Sequence, residues 1–154
     1  MLQGIEGEER KNPRILGVLA RGTDYIKIRP KGHPIQPDID ALIEKCEEMM
    51  AEYDGEYLFV ATEDKDFDNK FKEKFGNRYI CNERCYIYYK EGLLADVPSE
   101  NGNEIRTRGL QYLSNLNILS KCNVLIGGQT NGLVGAVLMA EGFEHLYVFD
   151  LGYY

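Results

Sequence analysis

The chain has 154 residues, of which 44% are hydrophobic and 28% charged, and its formal net charge is −7. This length suits one domain around a single core, and the composition is that of a globular protein. The excess of acidic residues argues against nucleic acid as a generic partner, because binding a phosphate backbone requires a basic face. No apolar run approaches the roughly 18 residues of a membrane-spanning helix, so we expect no transmembrane segment.

Residues 1–13 form a predicted polar N-terminal lead without an apolar signal core. Four cysteines are scattered along the chain, and only Cys81 and Cys85 are close together. This single pair lacks the second pair of ligands found in zinc sites, which favours reduced structural thiols over a metal site. Reduced cysteines without a targeting signal predict a cytoplasmic protein that needs no metal.

Residues 14–154 are predicted to form a single domain. Five β-prone or buried apolar runs are predicted strands: 14–20, 56–62, 78–89, 122–126 and 145–149. The spacing of apolar residues predicts four helices. These run from an N-cap at Asp38 to near Tyr53, along Phe67, Phe71 and Phe75 to a stop at Gly76, from about 104 to 120, and from 133 to 141. The alternation predicts an α/β fold, a Rossmann-like three-layer sandwich with a mostly parallel sheet.

Three polar segments follow predicted strands: 21–31, 62–66 and 127–132. In a parallel sheet the carboxyl ends of the strands point the same way, so these segments are expected to meet. The first supplies cations, the second carboxylates, and the third a glycine-rich turn into a helix N-terminus, a common place to bind phosphate. Arginine matches two phosphate oxygens, and carboxylates accept hydrogen bonds from ribose or a base. Together the segments predict a site for a nucleoside diphosphate.

Each segment also has a structural interpretation. The glycine-rich turn lacks the GxGxxG and P-loop patterns, so close packing explains it as well as phosphate binding does. Glu63 and Asp64 suit the N-terminus of a helix. Asp24 suits a turn cap, and His33, which precedes a proline, suits a turn more than catalysis. Arg21 is different, because a charged residue directly after a buried strand usually has a partner or a ligand.

The order of these motifs resembles the C-terminal, donor-binding half of fucosyltransferases. The best match is the α1,6-fucosyltransferase type, with relatives among nodulation and protein O-fucosyltransferases. The motifs are R-G-T-D at 21–24, H-P at 33–34, A-T-E-D at 61–64, R-G at 108–109, L-S at 119–120, the strand-turn-helix at 124–135, and the terminal segment 148–154. The resemblance covers nearly the whole chain from about residue 14.

This resemblance implies one half of a GT-B glycosyltransferase, which would bind GDP-fucose without a metal and transfer fucose with inversion to a glycan or polysaccharide acceptor. Arg21 and Asp24 would be catalytic, with Arg21 stabilising the departing GDP and Asp24 orienting that arginine or binding the donor. The donor-binding residues implied are Arg21, Gly22, Thr23, Asp24, His33, Glu63, Asp64, Gly128, Gln129, Thr130 and Asn131. Among them, Glu63 and Asp64 would contact the nucleoside, and Thr130 and Asn131 the phosphate.

The chain departs from the α1,6 pattern at several positions. Leu19 stands where those enzymes have a histidine, and Gly22 where they have a second arginine. Arg29 stands where they have a glutamate proposed as the base, so the base is unassigned and a different acceptor is expected. Asn115 aligns with an aspartate of the third helix. GT-B enzymes bind the acceptor between two domains, so we expect an N-terminal domain missing from this chain, or a second copy of the chain, to complete the cleft.

Two other functions fit part of the pattern. The single domain and the lost base also suit a non-catalytic α/β nucleotide-binding or assembly module that kept the fold. A small flavodoxin-like or phosphatase-like enzyme is less favoured, because the loop after the first strand has neither a phosphate nest nor a nucleophile.

Overall fold

The computed structural model describes residues 12–82 and 102–154. Within these residues the strands are β1 (Ile15–Leu19), β2 (Tyr57–Ala61), β3 (Tyr79–Ile80), β4 (Val124–Gly128) and β5 (His145–Phe149). The helices are α1 (Thr23–Ile28), α2 (Ile39–Glu52), α3 (Lys65–Phe75), α4 (Gly102–Leu119) and α5 (Asn131–Met139), and a 3-10 turn (Gly76–Arg78) joins α3 to β3.

The strands form one sheet in the order β3-β2-β1-β4-β5, and every described pair is parallel. This confirms the predicted α/β fold with a parallel sheet. Leu19 is in register with Ala61 of β2 on one side and with Gly127 of β4 on the other. The carboxyl ends of the three central strands therefore lie side by side.

Helices cover both faces of the sheet, as in a three-layer sandwich. Successive side chains of a strand point to opposite faces, so Leu16 and Val18 pack into one core with α2 and α3. Phe59 and Leu125 pack into a second core with α4 and α5. Burying each such side chain contributes roughly 1.5–3 kcal/mol. The two cores hold the sheet between the helix layers.

The ends of the long helices follow their capping residues. Asp38 is the N-cap of α2 and accepts a hydrogen bond from the Ala41 N–H at 2.8 Å. Tyr53 is the C-cap, so the helix ends near Tyr53 as predicted. Gly76 ends α3 with a positive φ of 52°. The N-cap Asp64 and the acidic residues Asp66 and Asp68 of the first turn complement the positive end of the α3 dipole.

Three differences from the sequence expectations affect the site. The segment 21–31 contains the short helix α1, which ends at Arg29 in the left-handed conformation (φ 49°). The fourth strand continues through Gly127 and Gly128 because both still pair with β5, so the turn before α5 is shorter than expected. Of the strand predicted at 78–89, only β3 is described, and residues 83–89 lie outside the described residues.

The predicted absence of a membrane span agrees with the helices that the structure describes. Within residues 12–82 and 102–154, no helix is both long and apolar enough to cross a bilayer.

Thiol labelling provides a test of the cores. Cys46 and Cys122 are buried and Cys81 is exposed. Burial raises the pKa of the Cys46 thiol above its usual range and that of Cys122 to about 12, so both are protonated at pH 8. We expect N-ethylmaleimide at pH 8 to modify Cys81 in the folded protein and the other two only after denaturation. Peptide mass spectrometry identifies which cysteines are labelled. Rapid labelling of Cys46 in the folded protein would contradict this packing.

Candidate functional site

A cavity of about 250 Å³ lies at the carboxyl ends of β1, β2 and β4. Its wall comes from four parts of the chain: the segment after β1, the segment after β2, one face of α4, and the first turn of α5. The strand order reverses between β1 and β4, and in open α/β sheets ligands bind where this reversal occurs. The three polar segments therefore lie together at the carboxyl edge of the sheet, as predicted.

Arg21 extends from the end of β1 into the cavity wall. Its guanidinium Cζ lies 4.9 Å from the centre of the Tyr25 ring, a cation–π distance. Its Nη1 lies 4.0 Å from Glu63 Oε2, and the two side chains are 24% and 31% exposed. An ion pair with this exposure contributes little to stability, about 0–1 kcal/mol. The Tyr25 ring and the Glu63 carboxylate therefore both contribute to holding Arg21 at the cavity wall.

The segment after β2 places Glu63 in the cavity wall and Asp64 outside it. Asp64 is the N-cap of α3, because its Oδ1 accepts hydrogen bonds from the Asp66 N–H at 2.9 Å and the Phe67 N–H at 3.1 Å. A Cβ on Gly22 would lie 2.6 Å from Asp64 Oδ2, so glycine is needed there for the two segments to touch. The structure confirms that Asp64 caps α3. The contact of Asp64 with a nucleoside stays a prediction.

The first turn of α5 forms one wall of the cavity. Thr130 is the N-cap, and its Oγ1 accepts a hydrogen bond from the Leu133 N–H at 3.1 Å. Thr130 and Asn131 both line the cavity, as the predicted phosphate contact requires. The positive end of the helix dipole lies at these residues.

The turn before α5 is tied to the segment after α1. Gln36 is buried, and its Nε2 donates hydrogen bonds to the Gln129 carbonyl at 3.1 Å and the Pro34 carbonyl at 3.2 Å. Gly128 packs against the Gln36 side chain so closely that a Cβ would collide with it. Gly128 therefore has a packing role, and its contact with a donor stays a prediction.

His33 and Gln129 line a second, mostly apolar groove of about 600 Å³. This groove adjoins the cavity, since Tyr25, Thr130 and Asn131 line both. The His33 ring lies 5.7 Å from the Tyr25 ring in an edge-on arrangement. The predicted site residues thus divide between two adjoining depressions. The side chains of Thr23 and Asp24 lie outside the described part of the structure, so their predicted roles stay predictions.

Sequence reasoning did not select Tyr25, Tyr112 or Asn115 as site residues, although all three line the cavity. Burial raises the pKa of the Tyr112 hydroxyl, and the nearby Arg21 charge partly opposes this shift, so the phenol stays protonated at neutral pH. Tyr112 and Asn115 lie one helical turn apart beside the buried Leu116 of α4. The apolar residues of α4 do not mark one face in the sequence, so no local pattern indicated that these side chains line the cavity.

The described parts of the chain contain no group of three or more His, Cys, Asp or Glu side chains that could hold a metal ion. No model of a known protein family matches the chain, and no curated protein matches it significantly.

The cap at Asp64 leads to a stability prediction. Asp64→Ala removes the acceptor for two N–H groups of α3, and loss of an N-cap costs about 1 kcal/mol of unfolding free energy. Asp64→Asn keeps an acceptor oxygen and should remain close to the wild type. Urea unfolding followed by circular dichroism measures both variants. An Ala variant as stable as the wild type would show that the cap is unimportant.

Proposed function

We propose that this chain is the donor-binding half of a fucosyltransferase-like glycosyltransferase. It binds a nucleotide sugar, with GDP-fucose as the expected donor, for inverting transfer to a glycan or polysaccharide acceptor. The observation that carries the proposal is the cavity at the strand-order reversal, where Arg21 meets the first turn of α5. These are the two kinds of group that bind a diphosphate in α/β proteins.

Arg21 carries the larger share of the proposed phosphate binding. Each charge-assisted hydrogen bond contributes roughly 1.5–3 kcal/mol, whereas the dipole of α5 adds about 0.3–1 kcal/mol. Its loose pair with Glu63 is exposed enough to be replaced by a phosphate oxygen at little cost. Glu63 is then left to accept hydrogen bonds from the ribose or the base, because a carboxylate repels phosphate.

The size of the cavity suggests how a nucleotide sugar extends through the site. Ligand pockets usually measure about 300–1,000 Å³, so a cavity of about 250 Å³ holds only one part of such a ligand. The adjoining groove of about 600 Å³ shares Tyr25, Thr130 and Asn131 with it. We place the nucleoside in the cavity, the diphosphate at Arg21 and α5, and the sugar toward the groove.

In the proposed transfer, the oxygen of an acceptor hydroxyl forms a bond to the anomeric carbon while the bond from that carbon to the diphosphate breaks. The electron pair leaves with the diphosphate, and Arg21 stabilises the charge that develops there. The acceptor proton passes to a base. Because Arg21 and α5 supply the positive potential, the proposal requires no metal ion. The described cysteines are free thiols, which suits a cytoplasmic location.

A second candidate is a non-catalytic binding or assembly module. One observation favours it: apolar side chains on α5 and β5, including Val134, Leu138 and Leu146, are exposed around the groove. Contiguous exposed apolar surface commonly marks an interaction site. The two candidates differ in whether the cavity binds a nucleotide.

Titration calorimetry with GDP, GDP-fucose, UDP and ADP tests the proposal. We expect the guanosine ligands to bind most tightly, and Arg21→Ala to weaken them by about tenfold or more, because at least one charge-assisted hydrogen bond is lost. The stability of this variant should change by less than about 1 kcal/mol, since the ion pair is partly exposed. Lys27→Ala is the matched control, because Lys27 is an exposed cation of the same segment outside the cavity.

A folded wild-type chain that binds none of the four ligands would contradict the donor site. Sedimentation analysis of the same sample then tests the second candidate, which predicts self-association through the face formed by α5 and β5. Binding that Arg21→Ala and Lys27→Ala weaken equally would point to a non-specific charge effect.

A further inference from the structure

One histidine side chain lies in the groove that adjoins the cavity. His33 is half-buried and lines this groove beside Tyr25 and Gln129. The other described residues around the groove are apolar or carry an amide or a hydroxyl group. An imidazole is the side chain that most often takes a proton from a reacting hydroxyl group. Within the part of the groove that the structure describes, His33 is therefore the residue best suited to act as a base.

The backbone of His33 is held on both sides. Its N–H donates a hydrogen bond to the Pro30 carbonyl at 3.1 Å, and its carbonyl accepts one from the Tyr154 N–H at 3.1 Å. The next residue, Pro34, forms an antiparallel bridge with Tyr153. Such support suits a catalytic group, because a small displacement from the productive geometry costs much of the rate. The turn at His33 therefore fixes the position from which the ring enters the groove wall.

One nitrogen of the His33 ring lies near the backbone. The Nδ1 is 3.4 Å from the carbonyl oxygen of Lys31. A carbonyl only accepts hydrogen bonds, so this contact favours the tautomer that carries its proton on Nδ1. In that tautomer the free lone pair is on Nε2, and a base needs such a lone pair.

The Tyr25 ring contacts both His33 and Arg21. The Arg21 Cζ lies 4.9 Å from the centre of the Tyr25 ring, and the His33 ring centre lies 5.7 Å from it. In an inverting displacement, the base acts on the face of the sugar opposite the leaving group. The base and the residue that binds the diphosphate must therefore lie near the same sugar without occupying the same place. The contacts with Tyr25 keep Arg21 and His33 in such a relation.

We propose that His33 is the general base of the transfer and that its Nε2 accepts the proton of the acceptor hydroxyl. This inference rests on the proposed fucosyltransferase-like function and assigns the base that this function requires. As the hydroxyl oxygen bonds to the anomeric carbon, the bond from that carbon to the diphosphate breaks and its electron pair leaves with the diphosphate. The hydroxyl proton moves to Nε2, and the imidazolium then returns it to water.

Glu63 is the competing candidate. Its carboxylate lines the cavity and not the groove, and its Oε2 lies 4.0 Å from Arg21 Nη1. A carboxylate beside the residue that binds the diphosphate lies on the side of the leaving group. An inverting attack needs the base on the other side, which favours His33.

Nuclear magnetic resonance tests the position of His33. The chain has two histidines, and the second, His145, stacks on the Tyr53 ring at 5.2 Å at the amino end of β5. We expect GDP-fucose to shift the Cε1–H signal of His33 more than GDP does, because the sugar extends toward the groove. The His145 signal should move with neither ligand.

Release of GDP from GDP-fucose, with water as the acceptor, tests the catalytic role. His33→Gln keeps a polar side chain without a basic nitrogen, and we expect the rate to fall by about 100-fold or more, as on loss of a general base. Calorimetry should show nearly unchanged affinity for GDP-fucose, since the lost interaction forms only during the reaction. Added imidazole should restore part of the rate of His33→Ala. His145→Gln is the matched control and should keep the wild-type rate.

Three results would overturn the inference. If GDP-fucose binds and leaves the His33 signal unchanged, or if His33→Gln releases GDP as fast as the wild type, His33 is not the base, while the proposed donor site stands. If the wild type binds GDP-fucose and releases no GDP, His33 activates no hydroxyl and the non-catalytic module is favoured. If the wild type binds no nucleotide, the proposed function fails and the role of His33 fails with it.

Discussion

The site depends on the parallel register of the three central strands. Leu19 pairs with Ala61 on one side and with Gly127 on the other, so the chain leaves the sheet at the same level three times. The segment that follows each strand carries a different chemical group: the Arg21 cation after β1, the Glu63 carboxylate after β2 and the first turn of α5 after β4. A register shift of one residue in any strand would turn its core side chains to the opposite face. The core that stabilises the fold therefore also fixes the geometry of the cavity.

The residues that shape the cavity contribute little to that stability. The pair of Arg21 and Glu63 is partly exposed and contributes at most about 1 kcal/mol. The Asn115 oxygen has no hydrogen-bond partner within residues 12–82 and 102–154, which costs about 1–3 kcal/mol. This is a large share of the roughly 5–15 kcal/mol that typically stabilise a domain. The two apolar cores offset this cost. Under the proposed function, such groups at one end of the sheet serve a ligand rather than the stability of the fold.

Local sequence patterns predicted the parts of the fold that local physics determines. The last strand, 145–149, and the second helix between Asp38 and Tyr53 have the predicted ends, because turn and capping residues mark them. The meeting of Arg21, Glu63 and Thr130 followed from alternating strands and helices alone. The short helix α1 was not predicted, since six residues cannot show helical periodicity and Arg29 gives no warning of a left-handed cap.

Other features depend on contacts between distant residues. Gly127 and Gly128 belong to β4 because β5 pairs with them, which no local pattern around a glycine pair indicates. The sequence also did not indicate which face of α4 packs against the sheet. Its leucines occur all round the helix, with Leu110 and Leu113 exposed and Leu116 and Leu119 buried, so periodicity did not show that Asn115 faces the cavity.

The division of the predicted residues between two depressions constrains any ligand. Arg21, Glu63 and Thr130 line the cavity, whereas His33 lines the groove, and Tyr25 lies between them. A small phosphorylated molecule would occupy the cavity alone and leave the groove without a role. A nucleotide sugar is long enough to engage both, with its anomeric carbon near the boundary where Tyr25 lies. In the proposed transfer, the acceptor would approach from the groove side, whose surface is largely apolar and exposed on α5. Under that proposal, the acceptor-binding part would cover α5, whether a second domain or a second copy of the chain provides it.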